Sequence, residues 1–193
     1  MFELSLHILD IIENSLRAEA SNIVLKITEN LDKDIMKIEI KDDGTGMGKA
    51  QKKEAASPFN TTKKKKKKIG LGLPLFKQIA NHCGGSFALN SESGKGTEVS
   101  AIFQWSHIDR PPLGDIPETI QTVIAGEADV NFKYLHKVDS KCYKLNTEEI
   151  KRELDGLEIT NPRVIAFIKS DVEKGLKSIR PNEYLGEDVK SKN

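Results

Sequence analysis

The chain alternates stretches in which apolar residues recur with a helical period and stretches in which they recur at every second position. Over residues 4–19, Leu4, Ile8, Leu9, Ile11, Ile12 and Leu16 cover one side of a helical wheel, and His7, Asp10, Asn14 and Arg17 share the other. Two strand-like runs follow, at 22–28 and 35–41, with isoleucine and other apolar residues at alternate positions. The second runs into Asp42-Asp43-Gly44-Thr45-Gly46-Met47, a run that no helix or strand tolerates in its interior and that reads as a loop. A short helix over 48–57 stops before Pro58, because proline disfavours helical backbone in the residue ahead of it. After a polar segment and six consecutive lysines, Lys63 to Lys68, the run Ile69-Gly70-Leu71-Gly72-Leu73-Pro74-Leu75 opens a helix reaching about Cys83. Gly84-Gly85 is its stop signal. Residues 86–90 and 97–103 read as a strand pair joined by Ser93-Gly94-Lys95-Gly96.

Beyond Gln104 the character changes. Pro111-Pro112 and Gly114 mark a linker, a helix is expected from Ile116 to Ile124, and residues 132–145 read as a hairpin turning near Asp139-Ser140. Asn146 with Glu149 has the pattern of a capping box, and Asn161-Pro162 opens a last helix. Two units are therefore expected: residues 1–104, and a small α+β extension over 105–193 suited to binding a partner.

Bulk properties narrow the function classes without choosing among them. The chain has 193 residues, 31% of them charged and 37% apolar, with a formal net charge of +1, so no overall bias toward nucleic acid or acidic lipid is expected. Cys83 and Cys142 lie far apart with no His or Cys at metal-ligand spacing, which indicates neither a zinc site nor a disulfide framework. No apolar run approaches membrane-spanning length and no signal-like apolar core follows the N-terminus, so a cytoplasmic protein without a membrane partner is the expectation.

Four features carry candidate chemistry. Asp10 and Asn14 are one helical turn apart and project side by side, with Arg17 a further turn along. An Asn amide oxygen is a neutral hard ligand suited to a magnesium ion that already carries phosphates, Asp10 can accept a proton or orient a nucleophile, and Arg17 can neutralise phosphate charge. Asp42-x-Gly44-x-Gly46, at a strand end, offers a carboxylate to an exocyclic amine and two glycines that let backbone approach a flat base. Gly70-Leu71-Gly72-Leu73 exposes the first N–H groups of a helix, whose dipole favours phosphate. Gly94-Lys95-Gly96-Thr97 is the fourth. Taken singly, each has a plain structural reading: a solvated helix face, an Asp/Gly turn, a helix entry and a hairpin loop. The lysine run reads equally as a solvated charge block.

Their order is more telling than their content. Helix-Asn, DxGxG, GLGL and GxGT resemble the N, G1, G2 and G3 boxes of the GHKL ATPases, the superfamily of histidine kinases, gyrase and MutL, over roughly residues 4–104. Pro58-Phe59-Asn60-Thr61-Thr62-Lys63 followed by GLGL looks like the ATP lid of sensor histidine kinases, and Arg17 stands where those kinases place a Lys or Arg. The resemblance implies a two-layer α/β sandwich, a mixed sheet under three helices, with ATP and Mg²⁺ as cofactors. It implies that Asn14 coordinates Mg²⁺, and that Asp42 binds the adenine amine in a pocket shaped by Gly44, Gly46, Met47 and Thr97. Gly70, Leu71, Gly72 and Leu73 would meet the phosphates, with Lys68 and the other lysines in the lid. His7 is expected to play a supporting hydrogen-bond role.

Three departures from the sensor kinases bear on mechanism. The Asn-bearing helix begins within a few residues of Met1, which leaves no room ahead of it for a two-helix phosphoacceptor segment. The expected phosphate acceptor is therefore a separate protein, with a homodimer left open. The residue one turn before Asn14 is acidic, whereas sensor kinases usually carry Asn there. Gyrase, MutL, the heat-shock chaperones and the anti-sigma serine kinases have a Glu base at that place. Asp10 would supply the same carboxylate on a stem shorter by roughly 1.5 Å. Lys68 also stands where the GLGL motif has a further glycine. Three activities follow as alternatives: a stand-alone protein kinase, an ATPase switch, or an ATP sensor.

Overall fold

The computed structural model describes residues 3–55 and 72–180. The lid motif, the six lysines, Lys68, Gly70 and Leu71 lie outside those residues. Within them the chain forms α1 (Leu4–Arg17), β1 (Asn22–Asn30), β2 (Ile35–Asp42), α2 (Lys49–Ala55), α3 (Gly72–His82), β3 (Ser86–Glu92) and β4 (Gly96–Gln104). There follow α4 (Ile116–Gly126), β5 (Asn131–Val138), β6 (Lys141–Asn146), α5 (Thr147–Glu153) and α6 (Pro162–Ile179).

Among the described residues one six-stranded sheet holds every strand, in the order β3-β4-β2-β1-β5-β6. Its pairs are antiparallel except β1 with β5, so the sheet is mixed, and helices lie against one face as in the expected two-layer sandwich. The alternation along each strand decides which face is covered. Ile23, Leu25 and Ile27 of β1 and Met36, Ile38 and Ile40 of β2 are buried beneath the helices, each contributing roughly 1.5–3 kcal/mol of burial. Between them Val24, Lys26, Lys37 and Lys41 turn to the opposite face. Against the buried face α1 sets Leu4, Ile8, Ile11 and Ile12, α3 sets Phe76 and Ala80, and α4 sets Ile116, Ile120 and Val123. The expected stripe of α1 is found, with one change: His7 is buried, its ring stacked on Phe76 at 5.9 Å between centroids, and does not share the solvated side with Asp10.

Residues after Gln104 extend the same sheet. The backbone of Leu4 and Ser5 bonds to the Pro112 and Leu113 carbonyls, α4 packs on α1 and on α6, and β5 takes its place beside β1 in parallel register. Asn146 and Asn161 cap α5 and α6 through their side-chain oxygens, and the Asn146 amide also donates to Glu149. A buried polar cluster crosses this seam. Glu29 on β1 accepts from His136 on β5 at 2.7 Å, from Arg180 at the end of α6 at 3.1 Å and from Trp105 at 2.7 Å, while the Tyr134 hydroxyl meets the other ring nitrogen of His136. Burial pushes the Glu29 carboxyl upward, but these donors outweigh it and hold the group below the usual carboxylate range; burial also lowers His136.

Candidate functional site

The site forms where the last turns of α1 cross the ends of β2 and β4. Asp42 closes β2, directly opposite Thr97 at the start of β4, because the antiparallel register pairs those two positions. It is 7% exposed, and its carboxylate is held from three directions. The backbone N–H groups of Gly44 and Thr97 each donate to Oδ1 at 3.0 Å, and the Ser15 hydroxyl donates to Oδ2 at 2.6 Å. Such clamping fixes the carboxylate plane: Oδ1 accepts twice, and Oδ2, with one donor among the described residues, keeps the capacity to accept another hydrogen bond. Asp42 lines a cavity of about 200 Å³ whose walls include Ile11, Ile40, Met47, Leu73 and Val99. The cavity is below the ~300 Å³ lower bound typical of drug-sized pockets and is mostly apolar with a few convergent polar groups.

Loop geometry follows from glycine. Gly46 has φ +63°, and a Cβ there would lie 2.1 Å from the Glu92 carbonyl oxygen; at Gly44 a Cβ would lie 2.6 Å from the Ala18 carbonyl oxygen. Both glycines therefore let the β2 loop close onto neighbouring protein backbone, on one side the end of α1 and on the other the β3–β4 hairpin. Thr45 donates to the Ala18 carbonyl, and Met47 donates to the Ser91 hydroxyl, which in turn lies 2.9 Å from the Thr97 hydroxyl. Asp43 accepts from the backbone of Ser21 and Asn22 and from the Asn22 amide. Burial raises its carboxyl, and these hydrogen bonds more than reverse that, leaving it below the usual range.

Asn14 also lines the cavity, one turn from exposed Asp10. Its amide oxygen accepts from Arg17 at 2.9 Å, and Arg17 reaches on to Glu13 at 2.6 Å. The start of α3 presses on Asp10: a Cβ on Gly72 would lie 3.1 Å from the Asp10 Cβ and 3.4 Å from its Oδ2. The positive end of the α3 dipole and the Asp10 carboxylate thus share one corner. His7 has no hydrogen-bond partner on either ring nitrogen among the described residues, so the supporting hydrogen-bond role expected of it is replaced by stacking on Phe76. Burial lowers its pKa, against an opposing pull from Asp10.

Of the residues singled out from sequence, Asn14, Asp42, Gly46, Met47, Leu73 and Thr97 line one cavity, with Asp10, Arg17, Gly44 and Gly72 around it. Lys68, Gly70 and Leu71 fall outside the described residues. Sequence reasoning missed Ser15 and Ser91. Ser15 had a signal: it lies four residues after Ile11 and three after Ile12, so it is a lone hydroxyl within an apolar stripe, where a buried polar group needs a partner. Ser91 had none, being one serine in a polar hairpin.

Known proteins resemble this chain over its first half. A family model described as histidine kinase-, DNA gyrase B- and HSP90-like ATPase matches residues 3–107. Sporulation kinase C of Bacillus subtilis (strain 168) is 33% identical over 94 residues, which is 49% of this chain and 22% of that protein. The cell-division control histidine kinase PdhS of Brucella abortus (strain S19) is 28% identical over 109 residues, 49% of this chain and 10% of the kinase. The chain thus spans about a fifth or less of the length of these relatives. Among solved structures, the Aquifex aeolicus MutL ATPase domain complexed with ADP is similar with a TM-score of 0.41 and 15% identity, covering 88% of this chain and 67% of that one.

Proposed function

The chain belongs to the histidine kinase-, DNA gyrase B- and HSP90-like ATPase family, and from that premise we propose that its cavity binds the base of Mg-ATP and that the protein acts on a separate protein partner. The observation that carries this is the clamped Asp42 carboxylate in an apolar-walled cavity, one wall of which is Asn14. A fixed acceptor among apolar side chains suits a flat heterocycle bearing an exocyclic amine and disfavours one bearing a carbonyl at that place. Asn14 would give its amide oxygen to Mg²⁺. One neutral protein oxygen suits an ion whose other ligands are phosphate and water, and no group of three or more His, Cys, Asp or Glu converges among the described residues to form an all-protein metal cage. Arg17 would exchange its present bond to Asn14 for phosphate oxygens. The first N–H groups of α3, at Gly72 and Leu73, would face the same anionic end.

Bound Mg-ATP would supply an electrophilic terminal phosphorus. Asp10, exposed and set against Gly72, would orient a hydroxyl and accept its proton. Whether that hydroxyl is a partner's side chain or water separates a stand-alone kinase from an ATP-gated switch. The acidic side chain at position 10 favours one of these two over an ATP sensor without turnover. The deciding experiment follows γ-labelled ATP with and without co-purifying protein. Label moving to a protein identifies the kinase, and steady phosphate release without a partner, abolished in Asp10→Asn, identifies the switch. ATP binding with neither outcome reduces the function to sensing, and no binding at all overturns the proposal.

A further inference from the structure

A second surface lies away from this cavity, between α5 and α6. Ile150 on α5, Leu154 just past its end, and Val164 and Phe167 on α6 border a groove of about 340 Å³, with Glu153 on one bank and Arg163 on the other. The opposite side of α6 is spent on the core, where Ile168 and Val172 are buried, yet Phe167 is 71% exposed. Leu157, three residues beyond Leu154, is 49% exposed. Helix periodicity leads one to expect polar residues at these positions in a helix whose outer side meets only water. An exposed aromatic beside an unfilled apolar groove marks a contact surface.

We propose that the occupant is a second copy of this chain, paired about a two-fold axis through the α5–α6 groove. The surface carries both halves of such a contact. Phe167 projects and the groove beside it receives, so a two-fold rotation places each copy's Phe167 in the other's groove. The rim carries one charge of each sign, and neither Glu153 nor Arg163 is ion-paired among the described residues. Rotation sets each Glu153 against the second copy's Arg163, a match that a rim of one sign would not give. The pairing rests on no assumption about the nucleotide and is tested without it.

The test is sedimentation velocity of the full chain across micromolar concentrations, with circular dichroism and thermal melts to verify folding. The wild type should dimerise and Phe167→Asp should be monomeric with an unchanged melt, since the side chain faces solvent in one copy. Glu153→Arg and Arg163→Glu should each weaken dimerisation roughly tenfold or more by placing like charges opposite one another twice. The double variant Glu153→Arg/Arg163→Glu should restore it. A wild type that stays monomeric, a Phe167→Asp that still dimerises, or a double swap no better than the single changes would each overturn the proposal. A monomeric wild type would assign the groove to a different protein or to residues 181–193 of the same chain.

Discussion

Replacing Asp42 by Asn tests the nucleotide reading with little disturbance to the fold. The two side chains have the same shape and differ in one atom. Oδ1 accepts from two N–H groups, of Gly44 and Thr97, so an amide nitrogen placed there would meet two donors. The Asn carbonyl therefore takes the Oδ1 position and its NH₂ takes the place of Oδ2, beside Ser15. The Ser15 hydroxyl, which also lies 3.3 Å from the Ile11 carbonyl, can turn to donate there and accept from the new NH₂. What the fold loses is the difference between hydrogen bonds to a carboxylate and to an amide, about 1 kcal/mol and a few degrees of melting temperature. The base site loses more. Its outward acceptor becomes a donor facing a donor, which removes a hydrogen bond of about 1.5–3 kcal/mol and leaves both groups unsatisfied, so Mg-ATP affinity should fall by about a hundredfold or more. Titration calorimetry with Mg-ATP, run beside thermal melts, separates the two effects. Ser15→Ala is the counterpart: it should lower the melt by a similar few degrees while leaving the Oδ2 acceptor in place, and so weaken binding less than Asp42→Asn. An unchanged affinity in Asp42→Asn would refute the assignment of this cavity to the base.

Gly46→Ala should destabilise the protein by about 2 kcal/mol or more, because the new Cβ meets the Glu92 carbonyl at a positive φ. Gly94→Ala, with φ +79° but nothing within 4 Å, should cost about 1 kcal/mol, and denaturant midpoints would show equal losses if the contact with Glu92 were irrelevant. Stability should also fall on acidification in two stages. His136, held below its usual 6.5, resists a proton that the unfolded chain accepts as pH drops below that value, and Glu29, held below 4.5, keeps a charge that the unfolded chain gives up below that value. Both contributions are present at neutral pH and lost in acid, so a melting temperature that held steady from pH 7 to pH 3 would contradict the buried cluster. His7→Leu should melt no lower than the wild type, since the imidazole nitrogens have no partner among the described residues and an apolar side chain of similar bulk can pack on Phe76; a loss of about 2 kcal/mol or more in a melt would reveal a hydrogen bond at that ring.

The secondary elements and the polar ends of the site are readable along the chain because they obey local rules. A helix repeats within four residues and a strand within two, so the apolar stripe of α1 and the alternation of β1 and β2 need no distant information. Asp42, Gly46, Asn14 and Thr97 are each recognisable from their neighbours and their order, and the sheet register then sets Asp42 opposite Thr97. The depth of His7 is harder to read, since a wheel assigns a residue near the edge of a stripe to either side, and the choice falls to Phe76, sixty-nine positions away.

Periodicity and the order of four short motifs suffice, without coordinates, for a two-layer α/β protein of the ATPase family with its principal polar residues. Tertiary structure alone decides that Ser15 clamps Asp42 from 27 positions away, that Gly46 exists to pass the Glu92 backbone, that β5 pairs with β1, and that Glu29 collects donors from Trp105, His136 and Arg180. The reason is physical. A local pattern states which groups must be buried or satisfied, but the partner of a buried hydroxyl or carboxylate is whichever distant group the packed sheet brings within about 3 Å, and many sequences of the same pattern could bring a different one.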